Sequence, residues 1–150
     1  MPVIKCILLI EDDEITNFIS SDILTEMDIT ENIEIREDGK EAMDYLEKAY
    51  SGEAGYCRPD IIFLDLNMPV MDGFTFLKKY KETFEGEDVC RLIIVLSTSN
   101  YHEDVGRAIG LKETVTDYME KPLTKEKMTL ITRQYFDVNY DLQEKVGEIN

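Results

Sequence analysis

Ile61-Ile62-Phe63-Leu64-Asp65-Leu66 is apolar at every position but one, where a carboxylate interrupts it. A half-exposed strand alternates between apolar and polar residues. A run without alternation has both faces covered, as in a parallel sheet packed between helices. Cys6–Ile10 and Leu92–Leu96 read the same way, so these three strands are expected in the middle of the sheet. Ile33–Ile35 and Thr116–Met119 are weaker runs, expected at its margins. Between the strands lie stretches with apolar residues at helical steps. They are Ile15, Phe18, Ile19, Ile23 and Met27; Ala42, Met43, Leu46 and Ala49; Phe74, Leu77, Tyr80 and Phe84; Val105, Ala108 and Ile109; and Met128, Ile131 and Tyr135. Each stripe is expected to pack on the sheet. Breakers fall in the connections, at Asp38-Gly39, Ser51-Gly52 through Pro59, Gly86, Gly110 and Pro122. Strands alternating with helices in this way predict an α/β fold with a doubly wound, five-stranded parallel sheet.

A chain of 150 residues has room for one such unit. Its 32 acidic residues against 16 Lys and Arg give a formal net charge of -16. Such a surface repels phosphate polyanions, so neither nucleic acid nor an anionic membrane is an expected partner. Met1–Ile10 contains only a short apolar run, followed at once by Glu11, Asp12 and Asp13, which suits neither a signal peptide nor a membrane span. Cys6, Cys57 and Cys90 are odd in number and have no C-x-x-C spacing. They are expected as plain thiols in a reducing, cytoplasmic setting.

In open sheets of this kind, ligands bind outside the carboxyl ends of the strands. Glu11, Asp12 and Asp13 follow the first strand, and Asp65 closes the third with Asn67 two residues on. Ser97-Thr98 follow the fourth strand and Lys121-Pro122 the fifth. Carboxylates pooled with hydroxyls and one ammonium make a hard, oxygen-rich site that selects Mg2+. A single acid at a strand end is usually a solvated terminus or a helix cap, and Asp72 before Gly73 reads as such a cap. Asp65 differs, because a carboxylate inside a buried run needs a partner. No glycine-rich phosphate cradle is present. A cation and a lysine can nonetheless neutralise a phosphoryl group in transfer, with Asp65 as the nucleophile that forms an acyl phosphate.

Four motifs in order resemble the receiver domains of two-component response regulators. They are Ile7-Leu8-Leu9-Ile10-Glu11-Asp12-Asp13-Glu14, Ile61 through Gly73, Ile94-Val95-Leu96-Ser97-Thr98-Ser99 and Asp117-Tyr118-Met119-Glu120-Lys121-Pro122. The resemblance covers nearly all of residues 4–136, and it implies a flavodoxin-like fold with strand order 2-1-3-4-5. It further implies that Asp65 takes a phosphoryl group from a phosphohistidine of a sensor histidine kinase or histidine phosphotransfer protein. Mg2+ would be held by Asp12, Asp65, the Asn67 backbone carbonyl and, through water, Glu11. Lys121 would pair with Asp65 and then with the phosphoryl oxygens, ahead of a cis Lys121–Pro122 bond. Ser97 would bond the phosphoryl group, and Tyr118 would swing from exposed to buried. That switch would remodel the face of the fourth and fifth helical stretches and the fifth strand, where an unidentified downstream protein docks and where two copies are candidates to pair.

The implied protein is a regulatory phosphoacceptor and not a metabolic enzyme, its chemistry limited to its own phosphorylation and dephosphorylation. A degenerate receiver that binds without phosphorylation is the alternative, against which the full set Glu11, Asp12, Asp65, Ser97 and Lys121 argues. A haloacid-dehalogenase-type phosphatase would need D-x-D-x-T, and Asn67 stands where its acid/base aspartate is required. The Tyr50–Asp60 connection is longer than is common in the family. Residues 137–150 extend past the receiver unit of residues 1–136, with Val138, Leu142, Val146 and Ile149 at helical intervals.

Overall fold

The computed structural model describes residues 4–84, 86, 89, 90, 92–98 and 114–136. Strands β1 (Ile4–Ile10), β2 (Thr30–Arg36), β3 (Ile61–Leu64), β4 (Leu92–Ser97) and β5 (Asp117–Glu120) form one sheet in the order β2-β1-β3-β4-β5. All four pairings are parallel. The uninterrupted apolar runs are central as their pattern requires: every residue of β3 and β4 is buried, whereas β2 and β5 are partly exposed at the edges. β3 is shorter than its apolar run. Asp65 and Leu66 lie beyond the strand, still buried, with the Asp65 N–H donating to Ile10 O at 2.9 Å.

Helices α1 (Glu14–Glu26), α2 (Gly39–Tyr50), α3 (Gly73–Thr83) and α4 (Lys125–Phe136) cover the sheet. Asp13, Asp38 and Asp72 cap the first three, each side chain accepting a backbone N–H from the first turn. One side of the sheet packs Leu8, Ile10, Ile62, Leu64 and Val95 against Leu46 of α2 and Phe76 and Leu77 of α3. The other packs Ile7, Leu9, Phe63 and Ile94 against Leu24 of α1 and Met128 and Ile131 of α4. The fourth helical stretch, with Val105, Ala108 and Ile109, lies outside the described residues, as does 137–150.

Two expectations are corrected. The N-terminal half of α1 does not bury its apolar residues: Ile15, Phe18 and Ile19 are 70%, 72% and 42% exposed, and Asn17, Ser20 and Leu24 face inward instead. Positions 17, 20, 24 and 27 also form a helical stripe, but its first two members are polar and periodicity passed over them. Cys6 and Cys57 are not plain thiols. They form a disulfide with Cα atoms 6.2 Å apart, tying the long α2–β3 connection to β1, and Cys90 is the free, buried cysteine. Sequence spacing carries no information on that approach across 51 residues.

Candidate functional site

Because the strands are parallel, their carboxyl ends share one rim, and that topology gathers residues far apart in sequence. Glu11 and Asp12 follow β1, Asp65 follows β3, Ser97 ends β4 and Lys121 follows β5. Carboxylate oxygens of Glu11, Asp12 and Asp65 lie within 4.8 Å of one another. Glu11 and Asp65 are buried and Asp12 is exposed. Lys121 Nζ bonds Glu11 Oε1 and sits 3.4 Å from Asp65 Oδ1.

Local backbone sets these positions. The Lys121 N–H donates to Ser97 O at 2.6 Å, coupling the ends of β4 and β5 just ahead of the cis Lys121–Pro122 bond. The Asn67 N–H donates to Asp65 Oδ1 at 3.2 Å, and Asn67 itself is exposed. Gly73, at the start of α3, donates its N–H to Leu66 O at 3.0 Å. A Cβ there would lie 2.6 Å from Asp65 O and 2.7 Å from Leu66 Cα, so only glycine lets α3 pack this close to the Asp65 backbone.

The electrostatics favour a cation. Burial, followed by the nearby Asp65 carboxylate, holds the Glu11 carboxyl above its usual range despite Lys121. Burial and Glu11 push Asp12 up as well. Burial works against the charged form of Lys121, but its bond to Glu11 and the charge of Asp65 prevail and hold its pKa above the ordinary value. Three carboxylates facing one ammonium leave uncompensated negative charge on oxygen donors, which fits Mg2+ or Mn2+ rather than a soft metal.

The expected residues Glu11, Asp12, Asp65 and Lys121 therefore meet, and Ser97 stands buried at the same rim. Tyr118 on β5 is half-buried and packs on the α2 and α3 side of the core. Two residues of the site escaped the sequence reading. Asn17 was masked by the stronger apolar stripe of α1. Gly73 was absorbed into the reading of Asp72 as a cap, which is correct in that Asp72 Oδ1 accepts from the Thr75 N–H at 2.8 Å.

The family model for the response regulator receiver domain matches residues 7–133. The chain belongs to this receiver family. The methanogenesis regulatory protein FilR2 of Methanothrix harundinacea, assigned that role as probable, is 32% identical over 122 residues, which are 81% of this chain and 75% of that one. The response regulator Rcp1 of Synechocystis is 33% identical over 67% of this chain and 65% of its own length. The crystal structure of the Mn2+-bound form of a response regulator Rcp1 superposes with a TM-score of 0.65 at 29% identity, covering 88% of this chain and 94% of that one. A two-component response regulator from Cytophaga hutchinsonii superposes with a TM-score of 0.77 at 28% identity, over 90% of this chain and 98% of that one. Other curated relatives are longer, and the chain spans 41% of the C4-dicarboxylate regulator DctR of Halalkalibacterium halodurans. The receiver's sheet order is the one that the sequence motifs implied.

Proposed function

We propose that this receiver accepts a phosphoryl group on Asp65 from a phosphohistidine of a sensor histidine kinase or histidine phosphotransfer protein, and thereby switches a protein-interaction face. The observation that carries this reading is the convergence of Asp65 with Glu11, Asp12 and Lys121 at one rim. An Asp65 carboxylate oxygen attacks phosphorus, the P–N bond to the histidine breaks as the P–O bond forms, and the freed imidazole takes up a proton. Lys121, already 3.4 Å from Asp65 Oδ1, compensates the charge gathered on the phosphoryl oxygens. Glu11, Asp12, Asp65 and the Asn67 carbonyl are the residues to hold Mg2+, which supplies further charge neutralisation when bound. The Ser97 hydroxyl bonds the phosphoryl group, and Tyr118 occupies the space this vacates.

On this reading the unit formed by residues 1–136 is regulatory, and its catalysis is confined to its own phosphorylation and dephosphorylation. It works in the cytoplasm, where its kinase is charged, and its acidic surface suits a protein partner rather than nucleic acid. The downstream partner docks on the face made by β5, α4 and the helical stretch expected around Val105, Ala108 and Ile109, which is also the candidate face for pairing of two copies. Among the described residues, no helix is long and apolar enough to cross a membrane. Acetyl phosphate with Mg2+ is expected to place a base-labile phosphoryl group on the wild-type protein and none on Asp65→Asn. Equal labelling of Asp65→Asn would refute the assignment.

A further inference from the structure

Glu11 follows the last residue of β1, where the ladder with β2 is ending. Its N–H still donates to Arg36 O at 3.0 Å. Its carbonyl accepts from Asn17 Nδ2 of α1 at 2.9 Å. The amide of Asn17 thus replaces a ladder bond at the point where the strand turns into the acidic loop, and satisfies a buried carbonyl that would otherwise cost free energy. Asn17 is only 7% exposed, on the inward face of α1, where Leu24 and Met27 follow it. Burying an amide there costs more than burying an aliphatic side chain, so packing on the sheet does not explain its presence.

The other half of the amide isolates that role. Asn17 Oδ1 is buried and finds no hydrogen-bond partner among the described residues. Asn17 lines a cavity of about 10 Å3 walled in part by Glu11, Asp65, Ser20 and Leu96, which has room for about one water. The bond from Nδ2 to Glu11 O is therefore the contact that orients the side chain. The peptide it holds joins Glu11 to Asp12, the two residues whose carboxylates face Asp65.

We propose that Asn17 is a positioning residue for divalent-cation capture, clamping the Glu11–Asp12 peptide so that both carboxylates are aimed at Asp65. The inference rests on the phosphoacceptor reading above, since it takes Mg2+ as the cation. Groups that orient metal ligands from behind typically change metal affinity about 10–100-fold when removed.

The test is titration calorimetry of the full chain with Mg2+, run beside acetyl-phosphate labelling at saturating Mg2+. Asn17→Leu keeps the branched side-chain shape, at a larger volume, and removes the donor. It is expected to weaken Mg2+ binding by about tenfold or more, with labelling restored to near the wild-type rate once Mg2+ saturates. Asn17→Ala, which lets solvent reach the Glu11 carbonyl, is expected to show the same loss and serves if the leucine variant does not fold. Ser20→Ala alters the same buried face and cavity wall but leaves the Asn17–Glu11 hydrogen bond in place, and it should leave Mg2+ affinity within about twofold, below what loss of a ligand-orienting group costs. Unchanged Mg2+ affinity in a folded Asn17 variant, or an equal loss in Ser20→Ala, overturns the inference. Failure of the wild-type chain to bind Mg2+ would instead overturn the phosphoacceptor reading itself, so the two failures are distinct.

Discussion

Lys121 Nζ lies 3.4 Å from Asp65 Oδ1 while bonded to Glu11 Oε1, with all three side chains no more than 14% exposed. One ammonium thus bridges two buried carboxylates that follow different strands. The arrangement offsets part of the negative charge gathered at the rim.

Removing this ammonium leaves two buried acids uncompensated. Lys121→Ala is expected to lower folding stability by about 3–5 kcal/mol without added metal, the usual cost of breaking a buried pair. Saturating Mg2+ should recover part of the loss, because it neutralises the same carboxylates. Urea unfolding with and without Mg2+ measures both, and an equal loss in both conditions would contradict the pairing role. In the phosphorylated state the same variant should keep its label but lose part of its gain in partner affinity.

Proton and metal should compete at the rim. Burial and neighbouring carboxylates hold Glu11 and Asp12 above their ordinary range, so the folded chain binds protons there that the unfolded chain has released. The contribution of these groups to stability is therefore present below their unfolded pKa values and is lost as pH rises through the folded ones. Metal-free protein should lose stability as pH rises through and just above the ordinary carboxylate range. Over the same window Mg2+ should stabilise increasingly, by about 2.7 kcal/mol at a hundredfold excess over Kd. Thermal unfolding across pH, with and without Mg2+, tests the opposite signs.

Gly73 is the contact through which α3 meets the phosphoacceptor backbone. In Gly73→Ala the new methyl would meet Asp65 O and Leu66 Cα at 2.6 and 2.7 Å, both backbone atoms that cannot rotate away. A loss of about 1–3 kcal/mol is expected, with slower labelling of Asp65 as its backbone shifts. Wild-type stability and labelling in this variant would show that α3 can retreat without disturbing the site.

Thiol chemistry separates the three cysteines. Cys6 and Cys57 are joined, and burial pushes the Cys90 thiol up to about 12, so the native oxidised protein should react with no thiol reagent near neutral pH. Denaturation should expose one thiol, and reduction followed by denaturation three. Because the bridge closes a span of 51 residues, reduction should lower stability, by up to about 4 kcal/mol if chain entropy dominates. Three reactive thiols in denatured, unreduced protein would contradict the bridge.

Much of this molecule is legible in its sequence. Runs such as Ile61–Leu64 lack alternation because both their faces are covered, so they revealed a parallel sheet and which strands are central. The acids after β1 and β3 and the lysine after β5 followed, since parallel strands carry their ends to one rim. Periodicity failed on α1, where the stripe of Ile15, Phe18 and Ile19 is more apolar than the face that is buried.

The sequence by itself determined the alternation of strands and helices, the helix caps and the identity of the charged groups, because these depend on near neighbours in the chain. Tertiary structure alone decided that Asn17 turns inward to hold the Glu11 carbonyl, that Gly73 must clear the Asp65 backbone and that Cys6 reaches Cys57. Each of those depends on the distance between segments that only packing brings together, and a one-dimensional pattern holds no measure of it.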